Sequence, residues 1–416
     1  MKDIALADRA TGFDVNALRR QFPVLARMVH GKPLAYLDNG ASAQRPAAVI
    51  DAVNDYERRH HANIHRAVHT LSQEATALYE NSRDRLTAFI NARSRHEIIF
   101  VRGTTEAINL VAQSYARPTL KPGDEILVTH LEHHANIVPW QMVCEQTGAT
   151  LVVAPIDVRG QVHVDEVAAL MTPRTRLFAC AHVSNALGTV LPVRRLIAAA
   201  KARGIATLID GAQAVSHMHV DVRELGCDFY AFSGHKMFGP TGVGVLYGRE
   251  QLLERMPPWQ GGGEMILAVT FAKTTYNALP NKFEAGTPNI SGGIGLGAAV
   301  DFLQGLDRDG AHAHEAALLQ HATALLSKIP DLRIVGTAAD KASLVSFAVA
   351  GVHPHDLGTI LDEDGIAIRT GHHCAMPVME FFQLPATARA SFAFYNTFEE
   401  IDRLAAGIER ARKLFA

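Results

Sequence analysis

The sequence predicts an α/β protein: a large domain on a mostly parallel sheet, followed by a smaller α+β domain. Three observations predict it. Short β-branched runs alternate with amphipathic helical stretches through the middle of the chain. The pattern changes near residue 300, where a long helical stretch leads into a shorter mixture of strands and helices. The length, 416 residues, is too great for one small core and short for three domains. We therefore expect a large domain over 33–302 and a small domain over 303–416, joined by the segment 13–32.

In chain order, a short helix is expected around Val15 to Phe22. The strands of the large domain are EIIFV (97–101), EILVT (125–129), TLVVA (150–154), RLFACAHV (176–183), ATLID (206–210) and CDFYAFS (227–233). Sheets of this kind place their sites at the carboxyl ends of the strands. A helical stretch is expected over roughly 293–328, then strands in SLVSFAVA (343–350) and RASFAF (389–394). The last element is an amphipathic helix. Thr397 and Glu400 form a capping box at its start, and Ile401, Leu404, Ile408 and Phe415 define its apolar face.

Composition excludes whole classes of function. Apolar residues are 48%, so a sizeable core can be buried. Lys plus Arg is 40 and Asp plus Glu is 42, which gives no electrostatic reason to expect nucleic acid or an anionic membrane. The opening MKDIALADRATGFD has acidic residues early and no apolar stretch behind them, so it does not read as a signal peptide. No apolar run is long enough to cross a bilayer. The cysteines are Cys144, Cys180, Cys227 and Cys374, with no CxxC pair, so no disulfide framework or four-thiolate zinc site is expected. The expectation is a cytoplasmic protein with reduced thiols.

The chemistry-bearing residues cluster at strand ends. Asp210 closes ATLID, and Lys236 follows CDFYAFS in the turn SGHK. A lysine there can form a Schiff base with an aldehyde cofactor, and an aspartate there can hold a pyridinium nitrogen protonated. Taken singly, such a Lys is often only solvated and such an Asp a turn former. RGTTEAIN (102–109) opens a helix after the strand EIIFV. Backbone N–H groups and hydroxyls at a helix start suit a phosphate, and Ser233 and His235 can complete the cup. Thr is equally an ordinary N-cap.

The run THLEHHANIVPW (129–140) has no metalloprotease spacing. A histidine at this strand end can stack on a planar ring and shuttle protons. His61, His65 and His69 share a helical spacing that can bind metal or simply mark an exposed helix face; no metal site is expected. In RTGHHCAMP (369–377), Arg369, His372 and His373 surround Cys374 in a Gly- and Pro-bounded loop, an accessible cationic setting that suits a nucleophile. The other cysteines sit in apolar runs and read as buried thiols. Arg389 in RASFAF points away from the face of Ala390, Phe392 and Phe394. It can grip a carboxylate bidentately or form a surface salt bridge. GVGVLYG (242–248) lacks the GxGxxG spacing, and no GxxxxGK occurs.

Together these segments resemble the SUF-type cysteine desulfurases, in the class V aminotransferase group of pyridoxal-phosphate (PLP) enzymes of fold type I. The resemblance runs from YLDNGASAQRP (36–46) to RASFAFYNTFEEIDRL (389–404), through VRGTTEAINL, EHHANIVPWQ, HVSNALGT, DGAQAV, DFYAFSGHKMFGPTG, FEAGTPN and RTGHHCAMP. The last motif is shared with selenocysteine lyases. The resemblance implies that Lys236 carries pyridoxal 5'-phosphate, Asp210 pairs with the pyridine nitrogen and Gln213 contacts the ring oxygen. It implies that His133 stacks on the ring, and that Thr105, Ser233 and His235 hold the phosphate with Thr287 of the partner subunit of a homodimer. Asn185, Arg369 and Arg389 would bind the amino acid, and His65 and Arg66 would lie near the site across the dimer interface. Cys374 would take sulfur from L-cysteine as a persulfide, releasing alanine, and pass it to a small acceptor of the SufE or SufU kind for iron–sulfur cluster assembly. L-selenocysteine is the alternative substrate. Gly40 stands where the family usually has alanine, a departure expected to touch no assigned role. Residues 1–12 extend beyond the family's usual start and are expected to be disordered.

Overall fold

The structure, a computed structural model, describes residues 13–415; the expectation for residues 1–12 lies outside the described residues. The large sheet has seven strands, in the order Ile98–Val101, Gly244–Gly248, Phe229–Ser233, Ala206–Asp210, Thr175–Ala181, Glu125–Thr129 and Thr150–Ala154. The last five run parallel. In all but the edge strand Thr150–Ala154, near-continuous apolar sequences match burial on both faces. Gly244–Gly248 is the strand that sequence reading passes over. It enters antiparallel between Ile98–Val101 and Phe229–Ser233. Gly244 is required there, because a Cβ would stand 2.6 Å from the Gly103 Cα.

A second sheet of four antiparallel strands is ordered Leu332–Val335, Leu344–Val349, Thr387–Ser391 and Arg369–Gly371. Its register sets Arg369 directly opposite Arg389. The helices Arg308–Leu326 and Phe398–Leu414 pack together against this part of the chain. The capping box of Thr397 and Glu400 is present. Ile401, Leu404 and Ile408 are buried, whereas Phe415 lies past the helix end and is 48% exposed, so it is not part of the apolar face. The helical stretch expected over 293–328 is two helices, Ile290–Gln304 and Arg308–Leu326. Asp307 interrupts it, its side chain accepting the Gly310 N–H as an N-cap.

The N-terminal segment ties the two sheets together. The strand Ala35–Tyr36 pairs with Ile366–Ala367, and Ala35 and Leu37 are buried in one core with Leu318, Phe347 and Ile401. Residues 35–37 thus pack with the C-terminal part of the chain. Phe22 is buried between the halves, with ring centroids 6.1 Å from Phe238, 5.6 Å from Phe302 and 4.6 Å from Tyr395. His61, His65 and His69 do not share a helix. Residues 61–69 are irregular, His65 has φ 70°, and His69 caps the helix Thr70–Phe89. Among the described residues, no helix is long and apolar enough to cross a membrane.

Phe22→Ala would leave a cavity where four aromatic rings now meet, and is expected to lower unfolding stability by about 3–5 kcal/mol. Phe415→Ala is expected to change it by less than about 0.5 kcal/mol. Denaturant unfolding of both variants checks the contrast.

Candidate active site

The parallel strands end at one cavity of about 230 Å³. Thr105, His133, Asp210, Gln213, Ser233, His235 and Lys236 line it from the large sheet's side. Asn185 lines it too, with Arg369, Cys374 and Arg389 facing from the four-stranded sheet and its loop. Thr105 and Arg389, 284 positions apart by sequence, are neighbours here because the second sheet closes over the strand ends of the first. Thr287 is not among them. It lines a separate cavity of about 440 Å³ with Tyr79, Phe100, Arg102 and Trp259. His65 and Arg66 are also outside the first cavity; His65 pairs with Glu80 at 3.1 Å and Arg66 with Glu264 at 2.8 Å.

Lys236 ends a single helical turn after the strand Phe229–Ser233. Burial pushes its amine down to about 8, opposed by the nearby Asp210 carboxylate. Asp210 ends its own strand fully within the protein. Burial raises its pKa, while the Ala212 N–H, 2.9 Å from its Oδ1, and Lys236 pull the other way. A neutral amine is a nucleophile at neutral pH, and a buried carboxylate beside it is a ready partner for a protonated ring nitrogen.

His133 stands on the loop after Glu125–Thr129. Its Nδ1 accepts the Ala135 N–H at 3.0 Å, so the ring's own proton is assigned to Nε2. Burial, then Lys236, pushes it down to about 4, which leaves it neutral at pH 7. Glu132 anchors this loop from beneath. It accepts the Asn136 side-chain amide at 2.6 Å and the Ala181 N–H at 3.1 Å, and burial pushes its carboxyl up to about 7. Sequence reading passed over Glu132, since nothing local marks a buried acid inside a histidine run.

The phosphate-type cup is built from Gly103–Thr105 and Ser233–His235. The Thr104 N–H donates to the Ser233 Oγ at 2.9 Å, and the two hydroxyls meet at 2.8 Å. Thr104, which opens the helix together with Thr105, is thus also a member of the cup. His235 is held neutral at about 4 by burial and by Lys236. Gln213 donates to the Gly40 carbonyl at 2.6 Å.

Cys374 is the exposed cysteine; Cys144, Cys180 and Cys227 are buried. His373 and Cys374 both adopt left-handed backbone, φ 53° and 54°, which non-glycine residues rarely take. The surroundings impose it. Asn185 donates to the His373 carbonyl at 2.6 Å, and the His134 N–H to the Cys374 carbonyl at 2.8 Å. The His134 ring accepts the Met376 N–H at 3.0 Å. Adjacent histidines therefore serve both sides of the site: His133 lines the cavity and His134 clasps the thiol loop. Asp38, also missed by sequence reading, bonds both Arg369 and Arg389. Gly40 is not remote from assigned residues as expected: a Cβ there would stand 3.3 Å from Arg389 Nη2. Among the described residues, no group of three or more His, Cys, Asp or Glu side chains is placed to hold a metal ion.

The burial pattern has a direct chemical readout. Limited iodoacetamide is expected to label Cys374 alone in the native protein and all four cysteines after denaturation. Peptide mapping by mass spectrometry checks it, and rapid native labelling of Cys180 or Cys227 would contradict the structure.

Comparison with known proteins agrees with this geometry. The family described as aminotransferase class-V matches residues 35–404. A cysteine desulfurase of Enterobacter sp. (strain 638) is 52% identical over 403 residues, covering 97% of this chain and 99% of the relative. A cysteine desulfurase of Synechococcus elongatus is 52% identical over 401 residues; the match covers 96% of this chain and spans 64% of that relative's length. The crystal structure of the cysteine desulfurase CsdA (S-sulfonic acid) from Escherichia coli superposes with a TM-score of 0.91 at 43% identity, over 97% of this chain and 100% of the other. A match over most of the chain, with the same architecture, makes this protein a member of the aminotransferase class-V family.

Proposed function

We propose that the chain is a pyridoxal-phosphate-dependent cysteine desulfurase, which converts L-cysteine to L-alanine and takes the sulfur onto Cys374. One observation carries the reading: a buried lysine amine and an accessible cysteine thiol face the same cavity, with Asp210, His133 and two arginines around them. The cavity fits the cofactor's chemistry. It offers an amine for the aldehyde, a carboxylate for the ring nitrogen and hydroxyls with a helix start for the phosphate. When bound, pyridoxal phosphate supplies that aldehyde and a ring that absorbs electrons from the substrate α-carbon.

The roles of the protein groups follow from their states. Arg389, with Arg369 and Asn185, orients the substrate carboxylate. Lys236, its amine pushed down to about 8 by burial, accepts the α-proton. His133, which lines the cavity, would stack on the cofactor ring, with its Nε2–H available for proton movement. The Cys374 thiolate attacks the substrate sulfur. The S–S bond forms as the Cβ–S bond breaks, the electron pair returns to carbon, and protonation completes the methyl group of alanine. The persulfide then passes to a small acceptor protein of the SufE or SufU kind.

We also propose a homodimer with shared sites, in the cytoplasm. Thr287, His65 and Arg66 lie outside the cavity of their own chain, which supports their serving a partner's. The chain is further read as a large domain ending at 302 and a small one over 303–416. The N-terminal link then extends through residue 37, since Leu37 packs in the C-terminal core.

Lys236→Ala is expected to abolish turnover, and borohydride reduction of the wild type should fix the cofactor on Lys236. Cys374→Ala should retain pyridoxal phosphate but reduce alanine release from L-cysteine to near background, with the wild-type persulfide on Cys374 by mass spectrometry. Release from L-selenocysteine should persist, because selenium leaves carbon more easily. A variant that desulfurates cysteine at the wild-type rate would overturn the acceptor assignment. Mixing inactive Lys236→Ala with an inactive Thr287 variant should restore activity through hybrid dimers; a fully active monomer would refute the shared site.

A further inference from the structure

We infer that Asp38 is a positioning residue for substrate capture: its carboxylate holds the guanidiniums of Arg369 and Arg389 side by side at the cavity, and leaves them one positive charge for one incoming carboxylate. The inference rests on the reading above, in which these arginines take the substrate carboxylate.

The sheet itself creates the problem that Asp38 answers. Arg369 and Arg389 are direct cross-strand partners. Like charges so placed repel and destabilise the pair. Arg389 is 2% exposed and cannot turn to water; Arg369 is 48% exposed and can. Asp38 lies beside the strand Thr387–Ser391 through a parallel bridge to Ser391. From there its carboxylate accepts from Arg369 Nε and Nη2 and from Arg389 Nη2, each at 3.2 Å. These contacts exceed the about 2.7–2.9 Å of a tight charge-assisted bond. One carboxylate is therefore shared between two cations without saturating either.

Arg389 has a second anchor, the Asn185 carbonyl at 2.7 Å from Nη1, while its Nε is buried without a partner. The Arg369 guanidinium has no hydrogen-bond partner besides Asp38 among the described residues. The absence of a side chain at Gly40 leaves Arg389 Nη2 the space it occupies, since a Cβ there would approach it to 3.3 Å. The backbone turn after Asp38 does not use its carboxylate. That turn is closed by the Asp38 carbonyl, which accepts the Ala41 N–H at 3.1 Å.

Two effects oppose each other when the charge is removed. The uncompensated cations would attract a substrate carboxylate more strongly. Arg369, without its partner and repelled by Arg389, would swing into water and leave the substrate one guanidinium. Because Arg369 is half exposed, solvent screens the first effect, and the second prevails.

The test uses the holoenzyme with Asp38→Asn, which keeps the shape, and Asp38→Glu, which keeps the charge. For Asp38→Asn, the KM for L-cysteine and the dissociation constant for L-alanine by calorimetry are expected to rise about tenfold, with kcat changed less than about threefold. Cofactor absorbance should stay at the wild-type value and the protein should fold, with a lowered thermal midpoint because the buried Arg389 loses its carboxylate partner. Asp38→Glu should recover both constants to within about threefold of wild type. Unchanged constants in Asp38→Asn, equal impairment in both variants, or failure of Asp38→Asn to fold would each overturn the inference, the last by making the carboxylate part of the fold. Arg389→Gln separates the two levels. If it leaves the KM unaltered, the carboxylate-binding reading fails; if it raises the KM and Asp38→Asn does not, only the role of Asp38 fails.

Discussion

Three permanent or potential cations, Lys236, Arg369 and Arg389, face one cavity with Asp210 and Asp38 as the carboxylates among them. Charge taken out of water must be paired or given up. Both solutions are visible. Lys236 is pushed toward its neutral amine, and His133, His235 and His373 are held neutral by burial, at about 4, 4 and 3. The arginines cannot surrender their protons, so they share Asp38. What remains is one surplus positive charge at the arginine pair, suited to a carboxylate, and a neutral cup of hydroxyls and N–H groups at the other end, suited to a phosphate.

That balance requires positions that do not drift, and two packed sheets supply them. The parallel strands deliver Asp210 and Lys236 at their carboxyl ends, where short turns leave little freedom. The antiparallel sheet brings Arg389 and Arg369 by register. Cys374 is the exception, because its loop lies between the sheets. There the left-handed backbone at His373 and Cys374 is held by Asn185 and His134, groups that belong to the opposite wall. Strain at such a position is tolerated only when the surroundings over-determine it. Phe22 packs against Phe238, two residues after Lys236, and against Tyr395, so it joins the core beneath the two walls.

Most strands and the pairing of Asp210 with Lys236 were legible because they rest on local pattern: apolar runs, a turn, a polar residue at the end. The motif SGHK and the loop RTGHHCAMP carry their chemistry within a few residues. Gly244–Gly248 was missed for the opposite reason. Two glycines make GVLYG a poor strand by propensity, and only its pairing between two neighbours in the sheet, with Gly244 against Gly103, makes it one. The histidines 61, 65 and 69 misled because equal spacing mimics a helix that positive φ at His65 forbids.

The sequence by itself determined the α/β class, the order of the elements, the capping box at Thr397 and which residues could do chemistry. Each of these follows from side-chain type and period along the chain. Tertiary structure alone decided which of those residues meet. Asp38 lies 331 positions from Arg369 and 351 from Arg389, and its loop reads as ordinary turn sequence. Its pairing with them arises from sheet register and from the packing of the N-terminal strand on the C-terminal core. Thr287 and Gly40 make the same point: one lies in a different cavity from Lys236, the other against Arg389. Periodicity reports the environment of a face, whereas the distance between two faces is set by how they pack.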